Sequence, residues 1–391
     1  MTVRKIGVEE ELLLVDPETR ELAAVSQHVI AGHHALEAER ARAMHGDSGT
    51  AGGGRDAEGT EALTVDQEIF LQQLETATVP CTSLAELESD LRRCRRVAAE
   101  AAATAGAAIV AVGTAVVGNA PAVVTPNARY QRIIDEFGSL IRNVVVSGMH
   151  VHVSIEDDEE GVGVIDRVRP WLPILLALSA NSPFVHGVDT GFASWRSQMW
   201  GRWPSAGPTE PYGDAAGYHA VAEAMMASGA SMDRGMLYYD ARLAETWPTV
   251  EIRVADVCTE VGDAVLVAAL TRALVETAAR SWRADEAPPA WRTDLLRAAQ
   301  WRAARYGVAG QLMHPQTREL QPARMVVESL MAHTAEALAE ADDTELVAAT
   351  FQRLLARGAG ASRQRAIAEA RGSLTAVVDD LIVRTNTTSR D

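Results

Sequence analysis

The chain has 391 residues, 47% of them apolar, and a formal net charge of −17. That length supports a sizeable core. The charge argues against nucleic acid as a partner, because such binding rests on basic patches that neutralise phosphates. Lys5 is the only lysine, so there is no P-loop, and phosphate contacts fall to arginine, backbone N–H groups and metal. No apolar run approaches a membrane span, and the acidic start MTVRKIGVEEE is not a secretory leader. A cytoplasmic protein is therefore expected. Cys81, Cys94 and Cys258 are odd in number, widely spaced and without a CxxC pair, so they read as reduced, buried thiols rather than zinc ligands or disulfides.

In chain order, Val3–Val15 reads as a strand. A loop-rich region follows, ending in His45–Gly59, which reads as a surface loop or a lid near the site. Gln67–Val79 reads as extended. Ser83–Gly106 is a predicted helix, with Ser83 as N-cap, Glu86 three residues on and Gly106 at the end. Ala107–Val117 reads as a core strand, Asn127–Arg142 as helix, Val144–Ile155 as strand and Val164–Asn181 as one apolar helix despite Pro170 and Pro173. Met236–Asp240 and Thr249–Val257 read as strands. From Glu260 onward the pattern is helical, apart from Tyr306–Gln321. These helices read as a cover for the outside of the sheet, with a homodimer contact left open. No repeat or linker divides the chain, so 1–391 reads as one α+β domain whose part 260–391 is mostly helical.

Four segments carry groups suited to a site. In Gly7-Val8-Glu9-Glu10-Glu11-Leu12, Glu9 and Glu11 lie two apart on a strand and leave one face, roughly 7 Å apart. Glu10 faces the other way. Glu68 and Glu75 bracket an apolar stretch. In Ser147–Ser154, His150 and His152 share a face; in Thr249–Asp256, Glu251 and Arg253 do. Taken singly, the acidic pairs read as solvent-facing strand residues and Glu251–Arg253 as a structural ion pair. Together they describe mostly apolar strands presenting carboxylates and imidazole to one side. An oxygen-rich site with one histidine suits Mg²⁺ or Mn²⁺ better than Zn²⁺. Such a site can bind ATP by bridging its phosphates.

These residues sit in blocks that resemble the glutamate–cysteine ligase type 2 group of carboxylate–amine ligases, relatives of glutamine synthetase. The blocks are GVEEELLLVDP from Gly7, the pair Glu68…Glu75, GMHVHV from Gly148, PWLPILLALSANSPF from Pro170, DTGFASWRSQMWGRWPSAGP from Asp189, TVEIRVADVC from Thr249 and QWRAARYG from Gln300. Met149 and Ser154 depart from the Cys and Gly frequent in that group, and both departures leave His150 in place. The resemblance implies a glutamine-synthetase-like fold, an antiparallel sheet forming an open funnel or half-barrel with helices outside. It implies that Glu11, Glu68 and Glu75 hold one cation and Glu9, His150 and Glu251 another. Arg253 resembles the arginine that contacts transferred phosphate. His152, Arg196 and Arg302 fall in the group's motifs as further nucleotide or carboxylate contacts.

The activity implied is ATP-dependent amide formation through an acyl phosphate, with a small carboxylic acid (glutamate) and an amine, cysteine or another, as substrates. The alternatives are a kinase of the ATP:guanidino phosphotransferase type on the same scaffold, and a non-catalytic protein derived from a ligase.

Overall fold

The run IGVEEELLLV sets three consecutive glutamates between apolar ends, and it forms the longest strand among the described residues. The computed structural model describes residues 3–45, 65–143 and 145–387. Seven strands make one antiparallel sheet: β1 (Ile6–Val15), β2 (Val65–Gln67), β3 (Gln73–Ala77), β4 (Ala108–Val110), β5 (Gly148–Ser154), β6 (Ala241–Leu243) and β7 (Thr249–Asp256). Their spatial order is β2-β3-β1-β5-β7-β6, with β4 beside the far end of β1. Among the described residues the sheet stays open, with β2 and β6 as its edges.

One face packs on helices. Ile6, Val8, Met149, Val151, Val153 and Ile252 meet Leu84, Leu87 and Leu91 of the helix Leu84–Thr104 and the mostly buried helix Val261–Arg283. The helix Leu84–Thr104 carries the expected capping box. The Ser83 hydroxyl accepts from Glu86 N–H, and the Glu86 carboxylate accepts from Ser83 N–H. Around Val261–Arg283 pack residues from Ala323–His333 and Thr344–Arg357, including Val326, Leu330, Val347 and Phe351.

Several boundaries differ from the sequence reading. A 20-residue helix, Ser26–His45, occupies much of the expected loop-rich region. Val29 and His33 are among the few residues it buries, so it lacks the apolar stripe by which a helix is recognised. The remainder of the candidate lid His45–Gly59 lies outside the described residues. Val164–Asn181 divides into the end of Asp158–Val168, a 3₁₀ turn Arg169–Trp171 and a helix Leu172–Ser179. Pro170 and Pro173 each sit at the start of a new segment, where a missing N–H costs nothing. Of Ala107–Val117 only Ala108–Val110 is strand. Met236–Asp240 is a 3₁₀ turn and a connection, and the strand begins at Ala241.

Candidate active site

The other face of the sheet collects the charged residues, and strand register does the collecting. Glu11 lies directly opposite Glu75 and Glu9 opposite His150. His152 lies opposite Glu251, which lies opposite Arg242. Between Met149 and Val151 the β5–β7 register slips, so Arg253 and Val254 face His150 alone, a bulge that re-aims side chains at a site. His150 Nδ1 thereby lies 3.1 Å from Glu9 Oε2, 3.7 Å from Glu251 Oε1 and 3.4 Å from Arg253 Nη1. Glu251 accepts from Arg242 Nε at 2.6 Å and also from Arg253 Nη1. Glu11 accepts the Gly148 N–H at 2.6 Å.

These groups are unevenly satisfied. Burial works against ionised Glu251, but Arg253 and Arg242 outweigh it and hold its carboxyl down at about 2. Burial likewise opposes ionised Glu9, and hydrogen bonds with His150 and His152 hold it well below the usual carboxylate range. Glu68 is pushed up to about 7 by burial and then by the negative Glu11. Glu75 is pushed further, by burial and then by Glu68. Burial, reinforced by Arg253, lowers His150, whereas for His152 the Glu9 hydrogen bond outweighs burial and raises it. His150 Nε2 is buried with no hydrogen-bond partner among the described residues, 3.7 Å from Glu11 Oε1, while the buried His152 Nε2 lies 3.3 Å from Glu9 Oε1.

That pattern fits divalent cations. Ligand atoms of Glu11, Glu68 and Glu75 lie within 4.8 Å of one another; so do those of Glu9, Glu75 and His150, and those of Glu9, His152 and Glu251. Hard oxygen donors predominate, as Mg²⁺ or Mn²⁺ requires. A cation would offset the repulsion that raises Glu68 and Glu75 and would give the buried His150 Nε2 a partner. Glu75 falls in two of the three groups, and His152 takes a place beside Glu9 and Glu251 that the resemblance gave to His150.

Arg196 approaches the same face from the helix Trp195–Trp200. It is buried, its Nε has no partner, and it makes no ion pair among the described residues. Burial lowers its affinity for its proton, while Glu11 and Asp256 act against that. Its backbone is held by a relay. Asp256 accepts from the hydroxyls of Ser182 at 2.6 Å and Ser194 at 2.7 Å, and the Ser182 oxygen accepts Arg196 N–H at 3.0 Å. Its guanidinium lies against the bare Cα of Gly148, where a β-carbon would overlap it. Sequence reasoning gave Asp256, Ser182, Ser194 and Gly148 no role, because no spacing rule links positions so far apart. Arg242 was missed because its strand has only three residues. Trp200 and Trp203 pack with Tyr238 and Phe137, so these tryptophans pack the loop that holds Arg196. Arg302 lies apart: it donates to Gln311 O at 3.0 Å and stacks over Tyr306, neither of which belongs to the acidic cluster.

At the Glu9 end of the cluster a cavity of about 670 Å³ opens, lined by Glu9, Glu75, Thr78, His152, Trp247 and others. That is the size of a small-molecule site.

The family model described as Glutamate-cysteine ligase family 2 matches residues 5–380. A "Putative glutamate--cysteine ligase 2-1" of a Nocardioides species is 49% identical over 392 residues, covering 100% of this chain and 98% of its own. A "Putative glutamate--cysteine ligase 2" of Streptomyces coelicolor is 46% identical, covering 98% of this chain and 99% of its own. Among solved structures, a glutamate–cysteine ligase of Francisella tularensis in complex with AMP superposes with a TM-score of 0.63 at 13% identity, covering 99% of this chain and 90% of that one. A bifunctional glutathione synthetase of Pasteurella multocida superposes with a TM-score of 0.65 at 14% identity, covering 98% of this chain and 52% of that one. The protein is thus an ATP-dependent carbon–nitrogen ligase. The chain belongs to glutamate–cysteine ligase family 2.

Proposed function

We propose that this ligase activates the γ-carboxylate of glutamate as an acyl phosphate and joins it to cysteine or another amine. The observation that carries the reading is the gathering of Glu9, Glu11, Glu68, Glu75, His150, His152 and Glu251 on one sheet face beside a ligand-sized cavity. A nucleotide seated in that cavity would have its phosphates directed at the acidic cluster. Glu11, Glu68 and Glu75 would hold one Mg²⁺, and Glu9 with His150, His152 and Glu251 a second; Mn²⁺ suits the same donors. Bound there, the ions neutralise charge on the transferred phosphoryl group.

The chain's own residues do the rest. Arg253, fixed by Glu251, presents a cation to the phosphoryl oxygens. Arg196, buried and without an ion-pair partner among the described residues, supplies a fork for the acid's carboxylate or for phosphate. The open sheet with its helices outside suits the half-barrel of glutamine synthetase relatives, spanning 1–391 as one catalytic domain. Three unpaired thiols suit the reducing cytoplasm.

The test incubates purified protein with ATP, Mg²⁺ and glutamate, with and without an amine panel that includes cysteine. ADP and phosphate rising equally, only when acid and amine are both present, is the expected result. ADP without free phosphate would instead mark a guanidino kinase, and silence across the panel would count against glutamate activation. Glu11→Ala should abolish ADP formation.

A further inference from the structure

We infer that Asp240 is the general base that takes the proton from the incoming ammonium group, so that its nitrogen can attack the activated acid; this rests on the ligase reading above. Register places it. β6 pairs Arg242 with Glu251 and Ala241 with Ile252, and the next step sets Asp240 opposite Arg253, whose N–H donates to Asp240 O at 2.9 Å. Cross-strand partners share a face, so Asp240 lies on the same face as the acidic cluster, at its β6 edge. That is the opposite side of the cluster from the cavity beside Glu9.

Two carboxylates at this end of the face lie outside the three metal-capable groups. Asp256 has both oxygens occupied, by Ser194 on one and by Ser182 and Asn181 N–H on the other, and is fully buried. Asp240 is different. One oxygen accepts from Gln300, the other has no donor among the described residues, and the residue is only partly buried. It therefore keeps an acceptor for a substrate N–H. Its neighbours are Gln300 and Arg297 from the helix Thr293–Tyr306, Arg196 from the helix Trp195–Trp200, and Arg253 across the strand pair. Burial nevertheless pushes its carboxyl up to about 7, against the pull of Gln300, Arg297 and Arg196. A base of that strength is available at neutral pH and strong enough to take a proton in the transition state. Glu11, then Asp256 and Asp240, each favour the charged form of Arg196.

The step balances. The ammonium gives one proton to the Asp240 carboxylate. The freed lone pair attacks the acyl-phosphate carbon, the C–N bond forms, and the C–O bond to phosphate breaks with its electron pair. Phosphate takes the second nitrogen proton, leaving amide and hydrogen phosphate, and Asp240 returns its proton to water.

The experiment compares two nucleophiles with ATP, Mg²⁺ and glutamate: cysteine, which arrives as an ammonium, and hydroxylamine, which is neutral above pH 7 and needs no base. Asp240→Asn should lower the cysteine-dependent rate by about 100-fold or more, and hydroxamate formation by far less. In the wild-type protein the cysteine-dependent rate should rise with pH through about 7, while hydroxamate formation stays flat above neutrality. The wild-type profiles decide the matter even if the variant does not fold. Equal losses for both nucleophiles, or identical pH profiles, would overturn the assignment while leaving the ligase reading standing. A wild-type protein that forms neither product would remove that reading itself.

Discussion

Glu9, Glu10 and Glu11 are consecutive, and they meet opposite environments on the two faces of one strand. On the helix side Glu10 is fully buried and forks onto Arg95, with contacts of 2.8 and 2.6 Å. Arg95 spends its remaining donors on the carbonyls of Thr259 and Cys258, each at 2.6 Å. Every charge there has a partner within the chain, and the pair ties β1 and the helix Leu84–Thr104 to the segment leading into Val261–Arg283. On the other side Glu9 and Glu11 join Glu68, Glu75 and Glu251, with carboxylates outnumbering the cations that meet them. Glu68 and Glu75 cannot both ionise comfortably, and His150 Nε2 has no hydrogen-bond partner among the described residues. One face satisfies its charges internally and stabilises the fold. The other leaves charge unbalanced within the chain, as the proposed ligand site requires and a core does not.

The comparison can be broken, and the sharpest attempt is on the unsatisfied face. Glu75→Gln should lower ADP formation by about 10³-fold or more through loss of ligands common to two cation groups. In metal-free buffer it should leave the melting temperature unchanged or raise it, because it removes a repelled carboxylate. A large drop in melting temperature would mean that Glu75 is structural. The satisfied face should behave in reverse. Arg95→Met strands a buried Glu10 charge and should cost about 3–5 kcal/mol in urea unfolding; a loss below about 1 kcal/mol would deny the pair its role.

Millimolar Mg²⁺ against EDTA should stabilise the wild type by about 1–3 kcal/mol in thermal melts, and Glu75→Gln much less. An equal gain in both would place binding elsewhere. Gly148→Ala would push the Arg196 guanidinium out of its seat, so ADP formation should fall by about tenfold or more while the fold is kept. Asp240 keeps its proton up to about 7 in the folded chain against an ordinary 3.8. Folded protein therefore binds more protons in that window, and its stability falls as pH rises through it. Asp240→Asn should flatten this slope in melts at pH 5 and pH 8. Smallest is Ser83→Ala, which removes a cap on the helix far from the cluster and should cost about 1 kcal/mol with turnover unchanged.

Much of the candidate site's geometry was legible because strands convert spacing into direction. Glu9 and Glu11, His150 and His152, Glu251 and Arg253 each lie two apart in sequence, and the observed faces follow from that period. The capping box at Ser83 and Glu86 was legible for a similar reason, since its parts lie within one turn. Ser26–His45 was not, because it buries little and shows no apolar stripe. Nor was the break at Pro170 and Pro173, since the surrounding residues stay apolar across three segments that are buried alike.

By itself the sequence determined which groups are available: carboxylates and imidazoles on apolar strands, a single lysine, and the ordered blocks of a ligase family. Tertiary structure decided which of them meet. Glu75 reaches Glu11 through the β1–β3 register, Arg196 is seated by Asp256 sixty residues on, and Asp240 reaches the edge of the site through β6. Such pairings depend on strand order, a bulge at Arg253 and a bare glycine at 148, and each is a contact between residues distant in the chain. Local periodicity carries no information about those contacts, because they form only when the packed helices on one face bring the strands into register.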